Sequence, residues 1–406
     1  MKFVLKATTK STSRLGLLTE FANKPNFSIE TPLAMLYTKG GSIPHITHEI
    51  FKICSKTPQI LQIPIASTYQ YQEILSEQNE NISQFVGLKD CVSCVTVQDP
   101  GDLTQPGHHY KDHVPVWTRH GKILVNAGKY MDIIESFQPD MYYTLSDGDT
   151  NVGSLNKRIS KAVDNTLNFF NECLERHQKS DILKDTCLIG SISGGYCLNS
   201  RQKCIEGILD KDEYIGGYLI DGLHNNGPEV EFLPIDEVDK VVDFVVKNLP
   251  KEKFKSIQGC WNPVNVIKLV QLGIDIFDTS YSYIVTERSS ALAFGMDETD
   301  ENQIFEINLR HPQYSNDFRP IVPSCDCLAC TKHSRGYIYH LITVQELLGP
   351  LLLTIHNTHY YLKFFAKIRS CIQDGTLEQL ETLIKRQFDE YQAKLNNEKN
   401  KVEVSR

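Results

Sequence analysis

Cys325-x-Cys327-x-x-Cys330 places three thiols within six residues, a density that packing alone seldom requires. Such a loop can wrap three thiolates around one Zn²⁺ ion and leave one tetrahedral corner for a histidine. Four histidines follow: His333, His340, His356 and His359. His333 is so close that supplying the fourth corner would strain the loop. His340 falls on a first helical segment. His356 falls on a second one, after a break expected at Pro350 that would let the chain return. His359 lies one turn further on the same face, as a substitute or outer neighbour of the site. Spacing favours His356 without deciding.

Other thiols read differently. Cys91 and Cys94 sit in CVSCVTV, where period-two burial in a strand explains them without metal. Cys260 adjoins Trp261 in a loop with no base near it in sequence, which argues against a catalytic thiol.

These side chains need a scaffold. The chain has 406 residues, 41% hydrophobic, enough for two or three average domains or one large α/β barrel. A net charge of −8 argues against a surface uniformly basic for polyanion binding. The charge is segregated, however: residues 331–406 hold eleven basic and eight acidic side chains, net +3, leaving −11 for the first 330. The apolar start of MKFVLKATTKSTSRLG is broken before a signal-peptide core can form, and the best apolar run, Leu351–Ile355, is too short for a membrane span. Twelve cysteines without such a signal predict reduced thiols and a cytoplasmic protein.

From residue 141 onward, short apolar segments alternate with longer amphipathic ones. MYYTLSD precedes a helix over 156–176, and TCLIGSISGG precedes SRQKCIEGIL. YIGGYLI precedes a helix over 236–248, FKSIQG precedes one over 263–272, and GIDIFD ends at Asp278. The rhythm predicts parallel strands whose ends at Ser146–Asp149, Gly190–Gly195, Gly216-Gly217 and Gly259–Pro263 form a functional face. A doubly wound sheet would alternate in the same way. No GxGxxG or Walker sequence points to nucleotide binding. The charged end, 396–406, is expected to fray.

Together these segments resemble the tRNA-guanine transglycosylases. The likeness rests on the CxCxxC loop, on Ser334–Leu341 (SRGYIYHL) and Thr354–Asn357 (TIHN), and on four central stretches similar to the family's VQGG, IGGL, GVGTP and GIDMFD. Arg14-Leu15-Gly16 and Glu30–Leu33 near the start agree as well. The resemblance implies an α/β TIM (β/α)8 barrel, a single domain over 1–406, with an inserted zinc-binding subdomain over 320–372 and C-terminal helices. It implies one structural Zn²⁺ per subunit, on Cys325, Cys327, Cys330 and His356. Catalytic members exchange wobble guanine for a deazaguanine, queuine in eukaryotes, in tRNAs with GUN anticodons (Asp, Asn, His, Tyr). One carboxylate attacks the ribose and a second handles protons.

Asp278 matches the nucleophile's position, but the sequence around it departs from the catalytic pattern. The family's Cys-Val-x-Pro-Thr-Arg stretch is replaced by Thr279–Arg288 without its arginine. Asp-Ser-Gly-Gly-Phe has no counterpart in Gln84–Cys94, and VQGG becomes Ser191–Gly195, which lacks the base-reading amide. Asp147 aligns with another base-reading aspartate. These departures resemble the family's non-catalytic accessory branch, which works in a heterodimer with a catalytic subunit and helps hold tRNA. Lys332, Arg335, Lys363 and Lys367 are the expected phosphate contacts. The resemblance implies that any attachment to the mitochondrial outer membrane is peripheral here. The alternative is a self-sufficient transglycosylase with Asp278 as nucleophile and Asp90 or Asp147 as the second carboxylate.

Overall fold

The computed structural model describes residues 1–9, 12–55, 59–78, 80–300 and 304–404, with side chains to Asn397. Eight parallel strands close into a barrel: β1 (Leu33–Tyr37), β2 (Ile60–Pro64), β3 (Val92–Thr96), β4 (Met141–Tyr143), β5 (Cys187–Ile192), β6 (Gly217–Ile220), β7 (Phe254–Ser256) and β8 (Ile276–Asp278). Each pairs with the next in sequence, and β8 returns to β1 in the register Ile276↔Leu33, Asp278↔Met35. The predicted α/β barrel is therefore the fold.

The helices between strands follow from their apolar spacing. In Asn156–Lys179, Ile159, Val163, Thr166, Phe170 and Cys173 recur at three- and four-residue intervals and are all buried. Caps fix where helices begin. Asn126 accepts from Lys129 N–H ahead of Ala127–Phe137, and Asn262 accepts from Asn265 N–H ahead of Pro263–Gln271, whose first residue is the proline.

CVSCVTV does form a strand, β3, but period-two burial is not observed: all five residues of Val92–Thr96 are buried, because a barrel strand is covered on both faces. Cys94 packs inside the barrel with Cys187 and Tyr143. The lower end is closed by a three-stranded antiparallel sheet (Lys2–Thr8, Arg14–Thr19, Ile29–Thr31), with Leu18, Phe21 and Phe27 in the same interior cluster. Arg14 from that sheet donates to Asp275 and to the Lys251 and Lys253 carbonyls, a buried ion pair that ties the plug to the start of β8.

After β8 come the helix Ser280–Glu287, the short pair Ser290–Leu292 and Glu306–Asn308, two small helices (Leu328–Lys332, Arg335–Thr343) and two long ones (Leu348–Asp374, Leu377–Val404). Pro350 does not break a helix. It sits in the first turn of Leu348–Asp374, where a missing N–H costs nothing, and the chain reverses in the preceding loop. Gly375 ends that helix in the left-handed conformation (φ +72°). The terminus expected to fray is helical to Val404; residues 405–406 lie outside the described ones.

The long helix is fused to the barrel wall: the Phe277 and Phe365 rings lie 5.5 Å apart, Tyr281 and Tyr361 5.9 Å, and Tyr361 donates to the Trp261 carbonyl at 2.9 Å. Barrel wall and helix share one hydrophobic core. No helix among the described residues is long and apolar enough to cross a membrane.

Candidate metal centre and barrel mouth

Cys325, Cys327, Cys330 and His356 converge and are all buried, His356 completely. Local structure presents the thiols. Cys327 caps the helix Leu328–Lys332, its Sγ accepting from Cys330 N–H at 3.3 Å, so Cys330 returns beside it after one turn. The long helix brings His356 across. Its Nδ1 lies 3.8 Å from Cys325 Sγ, 3.6 Å from Cys327 Sγ and 3.3 Å from Cys330 Sγ. A tetrahedral ion with sulfur at about 2.3 Å and nitrogen at about 2.0 Å would hold its nitrogen and sulfur ligands roughly 3.5 Å apart. The donor set fits a metal ion in number, type and spacing.

The outer contacts orient the ring. Nε2 of His356 donates to the Leu292 carbonyl at 2.7 Å, leaving Nδ1 to face the thiols. Asn357 holds the same strand: Oδ1 accepts from Leu292 N–H, and Nδ2 donates to the Ser290 carbonyl and Thr286 Oγ1. Hydrogen bonding with Cys327 and Cys330 draws the Cys325 thiol well below its ordinary value, while hydrogen bonding with Cys325 and Cys330 pushes Cys327 far up. Three thiolates this close need a cation between them.

The other histidines stay outside this group. His359 Nε2 meets Asp326 Oδ1 at 3.0 Å, the outer position foreseen for it, and Cys325, Asp326 and His359 form an overlapping cluster of potential ligands. His333 stacks on Tyr337. His340 lies on Arg335–Thr343.

At the upper end of the barrel a hollow is lined by Ser146, Asp147, Asp149, Asp221, His224 and Gln258, among others. Asp278 is not part of its lining. Its side chain is buried, Oδ2 accepting from Gly259 N–H at 3.0 Å and Oδ1 from Ser280 N–H at 2.9 Å. Burial pushes its carboxyl up to about 6. Asp147 does line the hollow, but Arg158 grips both of its oxygens and Asn165 donates to Oδ2 at 2.8 Å.

Full-length comparison decides the family. The profile of queuine tRNA-ribosyltransferase matches residues 9–390. A protein of Anopheles gambiae, "Queuine tRNA-ribosyltransferase accessory subunit 2", is 38% identical over 94% of this chain and 89% of its own. Proteins of the same name from Aedes aegypti (37%; 96% of this chain, 93% of theirs) and Drosophila melanogaster (36%; 95% and 93%) are similar to it as well. The chain belongs to the queuine tRNA-ribosyltransferase family.

Set against the catalytic pattern of the queuine tRNA-ribosyltransferases, several expectations need correction. Asp90 precedes β3 and lies at the opposite end of the strand from the mouth, exposed, so it cannot pair with Asp278. A second carboxylate does stand at the upper end, at Asp99, just beyond β3 and past the stretch compared. Its Oδ1 accepts from Tyr37 O–H at 2.6 Å and Gly101 N–H at 2.9 Å, and burial pushes its carboxyl up to about 6. An acidic residue two positions after the predicted strand segment CVSCVTV was the available signal. The Tyr37 ring in turn packs on Tyr283 at 5.0 Å, from the segment that replaces the family's arginine motif, and Lys39 lies over Tyr283. Arg288 does not restore the missing arginine, because it bonds Glu231 and Glu306. The Cys260 thiol is buried, raised by that burial, and donates to the Pro100 carbonyl at 3.2 Å.

The expected phosphate contacts also divide. Arg335 is buried and holds the Ile321 carbonyl and Asp317 beneath the thiol loop. Lys367 pairs with Asp297, while Lys363 is about half exposed near Asp326, and Lys332 is exposed.

Proposed function

We propose that this chain is the non-catalytic subunit of a heterodimeric queuine tRNA-ribosyltransferase, supporting a catalytic partner that exchanges wobble guanine for queuine in tRNAs with GUN anticodons. The observation that carries this reading is identity of 36–38% over nearly the whole chain to relatives whose names say accessory subunit 2. The state of the mouth supports it. A nucleophile must reach the ribose, whereas Asp278 is buried under two backbone donors, Asp99 is engaged by Tyr37, and Asp147 is neutralised by Arg158. In this reading no residue of the chain is catalytic.

Cys325, Cys327, Cys330 and His356 would hold one Zn²⁺ ion. With four protein ligands the ion supplies no chemistry to a substrate; it cross-links the 320–372 segment, which we take as a subdomain within one domain spanning 1–406. The exposed apolar residues beside it, Phe318, Tyr337, Val344 and Leu347, suit contact with the catalytic subunit. We place the protein in the cytoplasm, with any mitochondrial outer-membrane association peripheral.

The deciding experiment measures queuine incorporation into tRNA by the chain alone, by the catalytic subunit alone and by both, with wild-type and Asp278→Asn chains. Activity is expected only with the partner present and unaltered by the substitution. Turnover by the isolated chain, abolished by Asp278→Asn, would overturn the reading and establish the self-sufficient enzyme.

A further inference from the structure

Between β3 and the helix Ala127–Phe137 the chain makes an excursion that ends in an antiparallel hairpin, Val114–Thr118 with Gly121–Val125, in which Trp117 pairs with Lys122. Val114, Val116 and Val125 anchor it in the core. Gln105, Val114 and Pro115 line the same hollow as Ser146 and Asp221, so the hairpin rises from the rim of the mouth.

Its outer side has a distinct chemistry. Trp117 is half-buried, and His108 meets the indole edge-on with ring centroids 5.0 Å apart. Lys122 is exposed. Its Nζ lies 5.7 Å from the Trp117 ring centroid and 5.6 Å from that of Tyr110, and it donates to Tyr110 Oη at 3.1 Å. Residues 105–125 carry Lys111, Arg119 and Lys122 against one carboxylate, Asp112, and add four histidines, in a chain whose net charge is −8. None of those histidines belongs to a cluster of three or more potential metal ligands among the described residues.

Aromatic rings held by cations, beside a local excess of positive charge, are what single-stranded nucleic acid uses: bases stack on the rings and phosphates meet the cations. Protein interfaces, by contrast, are depleted in lysine. We propose that this hairpin is a contact for an unpaired nucleotide of bound tRNA, with Trp117 as the stacking platform and Lys122 and Arg119 as counter-charges for the flanking phosphates. The inference rests on the reading above that the heterodimer binds tRNA, and it gives that binding a place at the rim of this subunit's barrel.

The chain holds two tryptophans, and the other, Trp261, is buried. Labelling this chain alone with 5-fluorotryptophan and assembling it with unlabelled catalytic subunit gives two ¹⁹F resonances, assigned by Trp261→Phe. Added tRNA is expected to move the Trp117 line and leave the other in place. Trp117→Ala should weaken tRNA binding about five-fold or more. The surface pair Arg119→Ala with Lys122→Ala should weaken binding and lower the slope of log affinity against log salt by about 1.5, with heterodimer assembly intact. A stationary Trp117 line with normal affinity and salt slope in the Arg119/Lys122 variant would overturn the inference while leaving the proposed function standing. Loss of heterodimer assembly in that variant would assign the hairpin to the protein partner and overturn it too. A heterodimer that binds no tRNA would overturn both.

Discussion

His356 and Leu292 are joined by a 2.7 Å hydrogen bond from ring Nε2 to backbone carbonyl, which aims the other ring nitrogen at three thiols. The strand Ser290–Leu292 thereby sets the geometry of a site to which it gives no ligand. His356→Ala removes the nitrogen that faces the thiols and also leaves a buried carbonyl unpaired, a loss of about 1–3 kcal/mol by itself. Bound zinc, read by elemental analysis, should fall below one per chain, with unfolding free energy down by roughly 3 kcal/mol or more. Retention of one tightly bound ion would remove His356 from the site.

Asn357→Ala tests the neighbouring contact separately. It strands the Leu292 N–H and the Ser290 carbonyl without touching a thiol. The expected result is a stability loss of about 1–3 kcal/mol with metal content unchanged at saturating zinc. Loss of the ion would make Asn357 part of the binding geometry itself.

The two buried carboxylates of the upper barrel predict a pH dependence. Asp278 and Asp99 are each pushed up to about 6 by burial, against roughly 3.9 in the unfolded chain. The folded state thus binds more protons between those values, so their contribution to stability is fullest near pH 4 and declines as pH rises through 6. Each site accounts for about 3 kcal/mol at most, and Asp278→Asn should flatten its share of the slope between pH 4 and 6. Urea unfolding at pH 4, 5, 6 and 7 checks this; an unchanged slope in the variant would contradict it.

What could be read from the residues was what lies close along the chain. The three cysteines lie within six residues, and the strand-helix rhythm from Met141 to Asp278 repeats within tens of residues, so both survive folding as read. Which histidine meets the thiols was ambiguous because four histidines share the same stretch, and only the path of Leu348–Asp374 separates His356 from His340. Pairings across the barrel left no local trace. Tyr37 with Asp99 joins β1 to the end of β3, Asp275 meets Arg14 from the far end of the sequence, and Arg335 resembled a surface cation until its helix turned it inward.

Arg335 supplies the last test, since its charge suggested RNA and its position indicates packing. The guanidinium donates twice to the Ile321 carbonyl, at 2.7 and 3.2 Å, and reaches Asp317 at 3.3 Å, all beneath the loop that carries Cys325. Arg335→Ala leaves the Ile321 carbonyl without its two donors while Asp317 keeps Arg319, at a cost of about 1–3 kcal/mol. Thermal unfolding should register the loss, and zinc should be released more readily on chelation. At a temperature where the variant remains folded, the salt slope of tRNA binding should match wild type, because no phosphate contact has been removed. The exposed Lys332 is the contrasting case: Lys332→Ala should leave stability within about 0.5 kcal/mol. A reduced salt slope in Arg335→Ala with unchanged stability would return that residue to the RNA-binding surface.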